Sequence, residues 1–235
     1  MTAAAIVDEL RTLGSPSIKK VLMNHGAREP FFGVRVEDLK KIQKRVKVDY
    51  QLALDLYDTG ISDAMYLAGL IADDARMTKK DLNRWLDQAY WSMLSDHTVP
   101  WVAAQSPHGW ELALEWIESK KESHAGAGWA TLSSLVAIKD DAELDLPALK
   151  KLLERIAKTI HDAPNRVRYG MNAFVIAVGG AVKPLHDAAV AVAKKIGVVE
   201  VDMGGTACKV PFAPDYIAKI KARGAVGKKR KSAKC

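Results

Sequence analysis

The residues most able to do chemistry lie in one acidic, tryptophan-rich stretch of the chain. All six tryptophans fall between residues 85 and 129, and Trp91-Ser-Met-Leu-Ser-Asp96-His97-Thr-Val-Pro100-Trp101 adds a carboxylate. Aromatic faces attract cations, and a buried carboxylate attracts them more strongly. A cleft combining Trp91 with Asp96 would suit a cationic ligand or a transition state carrying positive charge. Two structural alternatives remain open: the tryptophans fill a core between helices, and Asp96 caps a helix.

A second candidate set lies on a predicted helix over residues 164–178. Asn165, Arg168 and Asn172 are spaced i, i+3 and i+7, which places them on one helical face, and Arg166 lies beside them. Because the helix is otherwise apolar, Asn172 is expected to contact something specific. Phosphates and base edges are natural partners of arginine and asparagine. The alternative is a solvated polar stripe.

The formal net charge of +7 is located at the carboxyl end of the chain. Residues 221–235 hold seven basic residues and no acidic residue, so the first 220 are formally neutral. We expect this tail to be disordered. Lys228, Lys229, Arg230 and Lys231 would make nonspecific, salt-sensitive contacts with phosphates. The alternative is a terminus that only aids solubility.

The neutral body still has a charge pattern. Residues 1–47 hold ten basic and five acidic groups, residues 48–146 hold seven and seventeen, and residues 147–220 hold eleven and six. Two positive ends flanking a negative middle produce a field although the sum is zero. Such a field could grip phosphates on both sides of an acidic centre.

Several classes of site are absent from the sequence. The histidines are scattered without metal-ligand spacing, no nucleophile signature is present, and Gly204-Gly205-Thr206 is too short to indicate a phosphate loop. Neither a metal nor a cofactor is therefore expected. Cys208 and Cys235 are too few for a disulfide framework and are expected to be reduced. With no signal peptide and no bilayer-length apolar stretch, the sequence predicts a cytoplasmic protein without membrane contact, associated with the nucleoid if it is bacterial.

The periodicity of apolar residues predicts an all-α protein. Leu149, Leu152, Leu153, Ile156 and Ile160 form one helical stripe, and similar patterns recur about a dozen times between glycine, serine and proline breaks. Many short helices pairing in antiparallel sequence order favour a curved HEAT-like α-solenoid over a compact bundle.

The predicted organisation is one helical domain over residues 1–220 followed by the tail over residues 221–235. The only interruption of the helical pattern lies near residues 197–213, where weak alternation precedes Gly204-Gly205. A two-residue hairpin and an ordered loop are equally compatible with this segment.

The chain resembles the DNA alkylation repair proteins, the HEAT-like-repeat alkylpurine DNA glycosylases. Met23-Asn24-His25 followed by Phe32-Gly33-Val34-Arg35-Val36-Glu37-Asp38-Leu39 is similar to the start of an early repeat in that family. Trp91, Asp96 and Pro100 are similar to its tryptophan-rich segment with an aspartate four residues before a proline. Length and helix succession match over roughly residues 1–220.

The resemblance implies a monomer that binds duplex DNA, alkylated or distorted in shape, in a positive groove. The family hydrolyses the N-glycosidic bond of N3- or N7-alkylated purines by stabilising positive charge on the sugar. That role would fall to Asp96 as the catalytic carboxylate. An aromatic role beside the lesion would fall to Trp91. Trp129, Asn172, Arg166 and Arg168 are the further candidates for contact with the lesion or the DNA.

The sequence departs from the family pattern at several of these positions. The family has a tryptophan four residues before its aspartate, where this chain has Ser92, and a later Trp-x-x-Arg element appears as Trp129-Ala-Thr-Leu132. Asn172 stands where another tryptophan is expected. Three functions therefore stay open: glycosidic hydrolysis, DNA binding without chemistry, and a protein-interaction solenoid.

Overall fold

The computed structural model describes all 235 residues, which form thirteen α-helices and no β-strand. The first compact unit contains residues 1–108 with Gly204–Ala207 and Lys234, and the second contains Gly109–Met203, Cys208–Ala233 and Cys235. The sequence predicted a single domain over residues 1–220, whereas the chain clusters into these two units. No single helix is long and apolar enough to cross a membrane. The bent pair Asn165–Ala181 and Lys183–Ile196 meets the length and composition criteria for a span only when the two helices are taken together.

Seven α-helices belong to the first unit. They are α1 (Ala3–Leu13), α2 (Pro16–Asn24), α3 (Val36–Val46), α4 (Tyr50–Asp58), α5 (Ser62–Ile71), α6 (Lys79–Gln88) and α7 (Val99–Gln105). Side-chain caps set several starts: Thr2, Ser15 and Asp49 each accept a backbone N–H, and Thr78 forms a capping box with Asp81.

Helix α5 is the centre of the first unit, because every residue from Ser62 to Ile71 is buried. It packs against α3, α4 and α7 and against a π-helical turn, Leu94–Thr98. Gly69 permits the last contact, since a Cβ there would lie 2.4 Å from Cγ2 of Thr98. Helix α5 therefore supports the segment that carries Asp96.

Six α-helices belong to the second unit. They are α8 (Gly109–Trp116), α9 (Glu122–Ile138), α10 (Leu146–Thr159), α11 (Asn165–Ala181), α12 (His186–Ile196) and α13 (Ala213–Ala222). The two 17-residue helices α9 and α11 form the central pair. Glycines allow close approach: a Cβ on Gly170 of α11 would lie 2.9 Å from Cβ of Trp129, and one on Gly128 of α9 would lie 2.7 Å from the backbone nitrogen of Ile117.

The segment between α12 and α13 is an ordered loop, which decides between the two structures that its sequence allowed. No strand forms, and Gly204-Gly205 is a turn. Helix α11 holds both ends of the loop: Asn165 exchanges two hydrogen bonds with the backbone of Asp202, and Asn172 donates to the carbonyl of Pro211. These side-chain bonds to backbone groups replace the ladder that a hairpin would have used.

The carboxyl-terminal tail is ordered, in contrast to the disorder expected from its composition. In the second unit, Lys229 bonds to the carbonyl of Val136 and to Asp141, and the backbone N–H of Arg230 bonds to Ala137. In the first unit, Lys234 bonds to Asp74 and to the carbonyl of Ala72. Composition alone predicts that a run of lysines is solvated. Here carboxylates far away in the sequence, Asp141 and Asp74, bind two of the lysines and order the tail.

Candidate nucleic-acid interface

Asp96 lies in a widened helical turn created around Pro100. A proline at this position cannot donate to the carbonyl of Asp96 four residues earlier, and its ring crowds that carbonyl. The turn over Leu94–Thr98 is π-helical, with the N–H of Val99 bonded to Leu94 five residues back. Turns of this kind occur frequently at functional sites.

Asp96 is half-buried, and its carboxylate accepts a hydrogen bond from the hydroxyl of Ser95 at 2.8 Å. It does not cap a helix, because neither the π-helical turn nor α7 begins with a side-chain cap. The helix-capping alternative for this residue is therefore wrong. The carboxylate instead projects from the middle of a helical run.

Trp91 is buried and donates from Nε1 to the hydroxyl of Ser62 at 2.7 Å. Its ring lines an apolar cavity of the first unit together with Tyr66 and Met93, and the carboxylate in the lining is Asp63 rather than Asp96. Asp63 accepts from the backbone N–H groups of Phe32 and Val34. Its carboxylate thus stabilises the fold, and Trp91 and Asp96 do not line this cavity together.

Trp129 lies in the core of the second unit rather than at a surface that could contact DNA. Its side chain is fully buried and meets Phe174 edge to face, with ring centroids 5.5 Å apart. The guanidinium of Arg155 lies 5.9 Å from the ring centroid. Nε1 of Trp129 has no hydrogen-bond partner. The close approach at Gly170 brings α11 against the ring and excludes a ligand from it.

Asn172 is also removed from any DNA surface, because only 1% of it is exposed. Nδ2 donates to the carbonyl of Pro211 at 2.8 Å, while Oδ1 has no partner. Asn172 does make a specific contact, as expected, but its partner is a loop of the same chain rather than a ligand. The sequence could not show that a segment 39 residues away would supply the partner.

Arg166 and Arg168 lie at the amino end of α11, and both are half-buried. The guanidinium of Arg166 lies 4.8 Å from the ring centroid of Tyr169, and its backbone N–H donates to Glu122 at 2.6 Å. Nε of Arg168 is buried without a hydrogen-bond partner. The two arginines concentrate positive charge at this end of the helix. The backbone N–H of Arg166 is already bonded to the carboxylate of Glu122.

The four tail residues expected to touch phosphates divide into two kinds. Lys228, Arg230 and Lys231 are exposed. Lys229 is largely covered, with 14% of its side chain exposed, and lies 2.8 Å from Asp141. Lys229 is therefore a residue that fastens the tail, and only its three neighbours can approach a DNA backbone.

The sequence interpretation missed an aromatic and basic surface on α13. Phe212, Tyr216, Lys219 and Arg223 are all exposed and are spaced i, i+4, i+7 and i+11. We call these four residues the α13 stripe. Their helical spacing is the signal in the sequence that indicates this surface.

A sequence model described as DNA alkylation repair enzyme matches residues 6–199. The chain belongs to the DNA alkylation repair family. Two uncharacterized proteins are similar over 92% of this chain and 95% of their own length: Lin0241 of Listeria innocua at 32% identity and Lmo0209 of Listeria monocytogenes at 33%. Helix α13 and the tail lie beyond the residues that the family model matches.

A solved structure is similar over the whole of both chains, with a TM-score of 0.93 and 37% sequence identity. It represents a family of proteins related to the HEAT-like repeat DNA glycosylases with affinity for branched DNA structures. The prediction of an all-helical, HEAT-like architecture is confirmed by this match. Of the site residues predicted from the sequence, Trp91 and Asp96 lie in the first unit, while Trp129, Arg166, Arg168 and Asn172 lie in the second.

Proposed function

We propose that this member of the family binds branched DNA through its phosphates and does not excise bases. The observation that carries the proposal is the burial of Trp129 and Asn172, at 0% and 1% exposure, in packing and loop anchoring. Neither side chain is available to a lesion. The affinity of the similar solved protein for branched DNA supports the choice of ligand.

Positive charge on the second unit would supply the phosphate contacts. Arg166 and Arg168 stand at one end of α11, and Lys228, Arg230 and Lys231 are exposed in the tail. Each phosphate that such groups neutralise releases counterions, so affinity should fall steeply as salt rises. These contacts carry no base sequence information, which suits recognition of DNA shape.

The test compares a labelled four-way junction with a duplex of the same arm sequence by fluorescence anisotropy over a series of salt concentrations. We expect tighter binding to the junction, and a smaller salt dependence in the Arg166→Ala/Arg168→Ala variant. Lys151→Ala, which removes an exposed lysine of α10, is the matched control. Absence of binding to either DNA at low salt would overturn the proposal and favour a protein-interaction role.

Hydrolysis of the N-glycosidic bond of N3- or N7-alkylated purines is the second candidate. One observation favours it: Asp96 is a half-buried carboxylate on a π-helical turn. A carboxylate in that position could stabilise positive charge on a sugar. The assay is release of alkylated base from alkylated duplex, compared between the natural chain and Asp96→Asn. We expect no release from either; release that Asp96→Asn abolishes would establish the enzyme.

A further inference from the structure

The α13 stripe is a continuous feature of one helix flank. Phe212 immediately precedes α13, and its carbonyl accepts the backbone N–H of Tyr216 one turn later. Lys219 and Arg223 repeat this relation in the last turn, where the N–H of Arg223 bonds to the carbonyl of Lys219. The two aromatic residues are therefore one helical turn apart, and two cationic residues follow them along the same flank.

The exposure of the two rings is unusual within this chain. Phe212 is 40% exposed and Tyr216 is 46% exposed, and these are the only aromatic residues among the large exposed apolar side chains. Lys219 extends over the ring of Tyr216, with Nζ 5.4 Å from the ring centroid. Exposed aromatic rings beside cationic groups form the kind of surface on which nucleic-acid bases stack.

The stripe rests on a rigid support. On the opposite face, Ile217 is buried, and a Cβ added at Gly179 of α11 would lie 2.6 Å from its Cδ1. At the start of the helix, buried Asn172 holds the carbonyl of Pro211, the residue before Phe212. The backbone that carries the rings is thus held in place before any ligand arrives, which lowers the entropic cost of binding.

We propose that the α13 stripe binds an unpaired, single-stranded segment of DNA. Bases would stack on Phe212 and Tyr216, and the phosphates between them would contact Lys219 and Arg223. Stacking platforms combined with a basic track are the general means by which proteins hold single strands. The inference rests on the proposed function and adds to it a form of DNA and a surface.

The chemistry selects unpaired DNA over an intact duplex. Inside a duplex both faces of each base are covered by neighbouring bases, so an exposed aromatic ring gains no stacking partner there. An unpaired base presents its π-face to any planar side chain without sequence preference. Only Asp215 places an acidic group in α13, against the three basic groups Lys219, Lys221 and Arg223 in and just after it.

The experiment measures dissociation constants for a labelled single-stranded oligonucleotide, for a duplex of equal length and for the four-way junction. In Phe212→Ala/Tyr216→Ala we expect affinity for the single strand to fall by roughly fivefold to a hundredfold. Affinity for the duplex should change by less than about twofold, because phosphate contacts dominate it. Tyr216→Phe, which keeps the ring, and Val198→Ala, which removes an exposed side chain outside the stripe, are the controls.

The possible outcomes distinguish the inference from the proposed function. Unchanged single-strand affinity in the folded double variant overturns the inference, as does an equal loss for both forms of DNA. Binding of junction and duplex with no binding of the single strand also overturns it while leaving the proposed function intact. Failure of the natural chain to bind any DNA overturns the proposed function itself.

A crosslinking measurement keeps the inference testable if the double variant does not fold. A single strand containing 5-iodouracil is irradiated with the natural chain, and the crosslinked peptides are identified by mass spectrometry. Crosslinks at Phe212 or Tyr216 support the inference. Crosslinks confined to other aromatic residues overturn it.

Discussion

Lys234 shows how a single side chain can order a tail by binding groups far away in the sequence. Its side chain is 11% exposed, and its Nζ lies 2.9 Å from Asp74, whose other carboxylate oxygen accepts from Gln105 at 2.6 Å. Burial raises the pKa of Asp74, although Lys234 and Gln105 oppose the shift. The lysine therefore offsets the cost of keeping a carboxylate out of water.

Removing Lys234 should leave Asp74 without its main source of compensation. We expect Lys234→Ala to lower the free energy of unfolding at neutral pH by at least about 1–3 kcal/mol, the range for a buried polar group that loses its partner, because charged groups cost more. Urea denaturation measures the change. Lys231→Ala, which removes an exposed tail lysine, should leave the midpoint unaltered. Equal effects of the two substitutions would show that the pair with Asp74 contributes nothing.

The raised pKa of Asp74 also predicts a dependence of stability on pH. Above the unfolded-state value of 3.8 and below the folded-state value, the folded protein binds more protons than the unfolded chain. The contribution of this group to stability is therefore complete below the unfolded pKa and is lost as pH rises through the folded pKa. The difference in unfolding free energy between the natural chain and Asp74→Asn should shift in this direction across the acidic range. A shift in the opposite sense would contradict the raised pKa.

At the scale of elements, glycines determine how closely the helices of the second unit approach. Gly128 faces backbone: an added Cβ would lie 2.7 Å from the nitrogen of Ile117 and 2.8 Å from the carbonyl oxygen of Ala113. Gly180 faces only the flexible end of Ile220, with Cδ1 at 2.8 Å. The two positions look equivalent in a helical sequence, but only one of them meets atoms that cannot move aside.

Gly128→Ala and Gly180→Ala form a matched pair for this reason. We expect Gly128→Ala to destabilise the protein by about 1–3 kcal/mol through overpacking of α9 against backbone. In Gly180→Ala, the better helix propensity of alanine, worth about 1 kcal/mol, should offset the displacement of one methyl group. Thermal denaturation separates the two outcomes. Equal loss in both variants would show that backbone contact does not limit the approach of helices here.

The elements themselves follow from the sequence more readily than the site does. The period of the apolar residues predicts the helices, as the stripe from Leu149 to Ile160 illustrates, and in the structure Asp145 caps the start of that helix. The burial of Trp129 and Asn172 is not predictable in this way, since a side chain at a given helical spacing can lie either in the core or at the surface. Asn172 differs from a surface asparagine because the carbonyl of Pro211, 39 residues later in the chain, accepts its hydrogen bond. Pro100 was the one local signal that could have revealed the widened turn at Asp96.

At the scale of the whole molecule, the tail contributes to stability as well as to charge. Ala233 is 1% exposed, and Lys229 and Lys234 each bind a carboxylate and a backbone carbonyl. Composition alone predicts the opposite, because seven cations without an acid resemble a solvated arm. Two of the tail's seven positive charges, Lys229 and Lys234, are thus paired with the carboxylates of Asp141 and Asp74.

Deleting residues 224–235 should therefore lower the melting temperature, in addition to weakening DNA binding. A disordered arm would leave the melting temperature unchanged. Scanning calorimetry of the truncated and natural chains makes the comparison, and the full-length Lys228→Ala/Lys231→Ala variant is the control that removes exposed charge alone. An unaltered melting temperature after truncation would contradict the packed tail.

The π-helical turn has a consequence for comparing this chain with its relatives. Trp91 precedes Asp96 by five residues, where the resemblance to the glycosylases leads us to expect four, and a turn with bonds spanning five residues holds the additional one without a bulging loop. A chain with one residue fewer could close the same segment as an ordinary α-helix. Alignments across this region should therefore place a single-residue gap inside a helix, a location that gap penalties normally discourage.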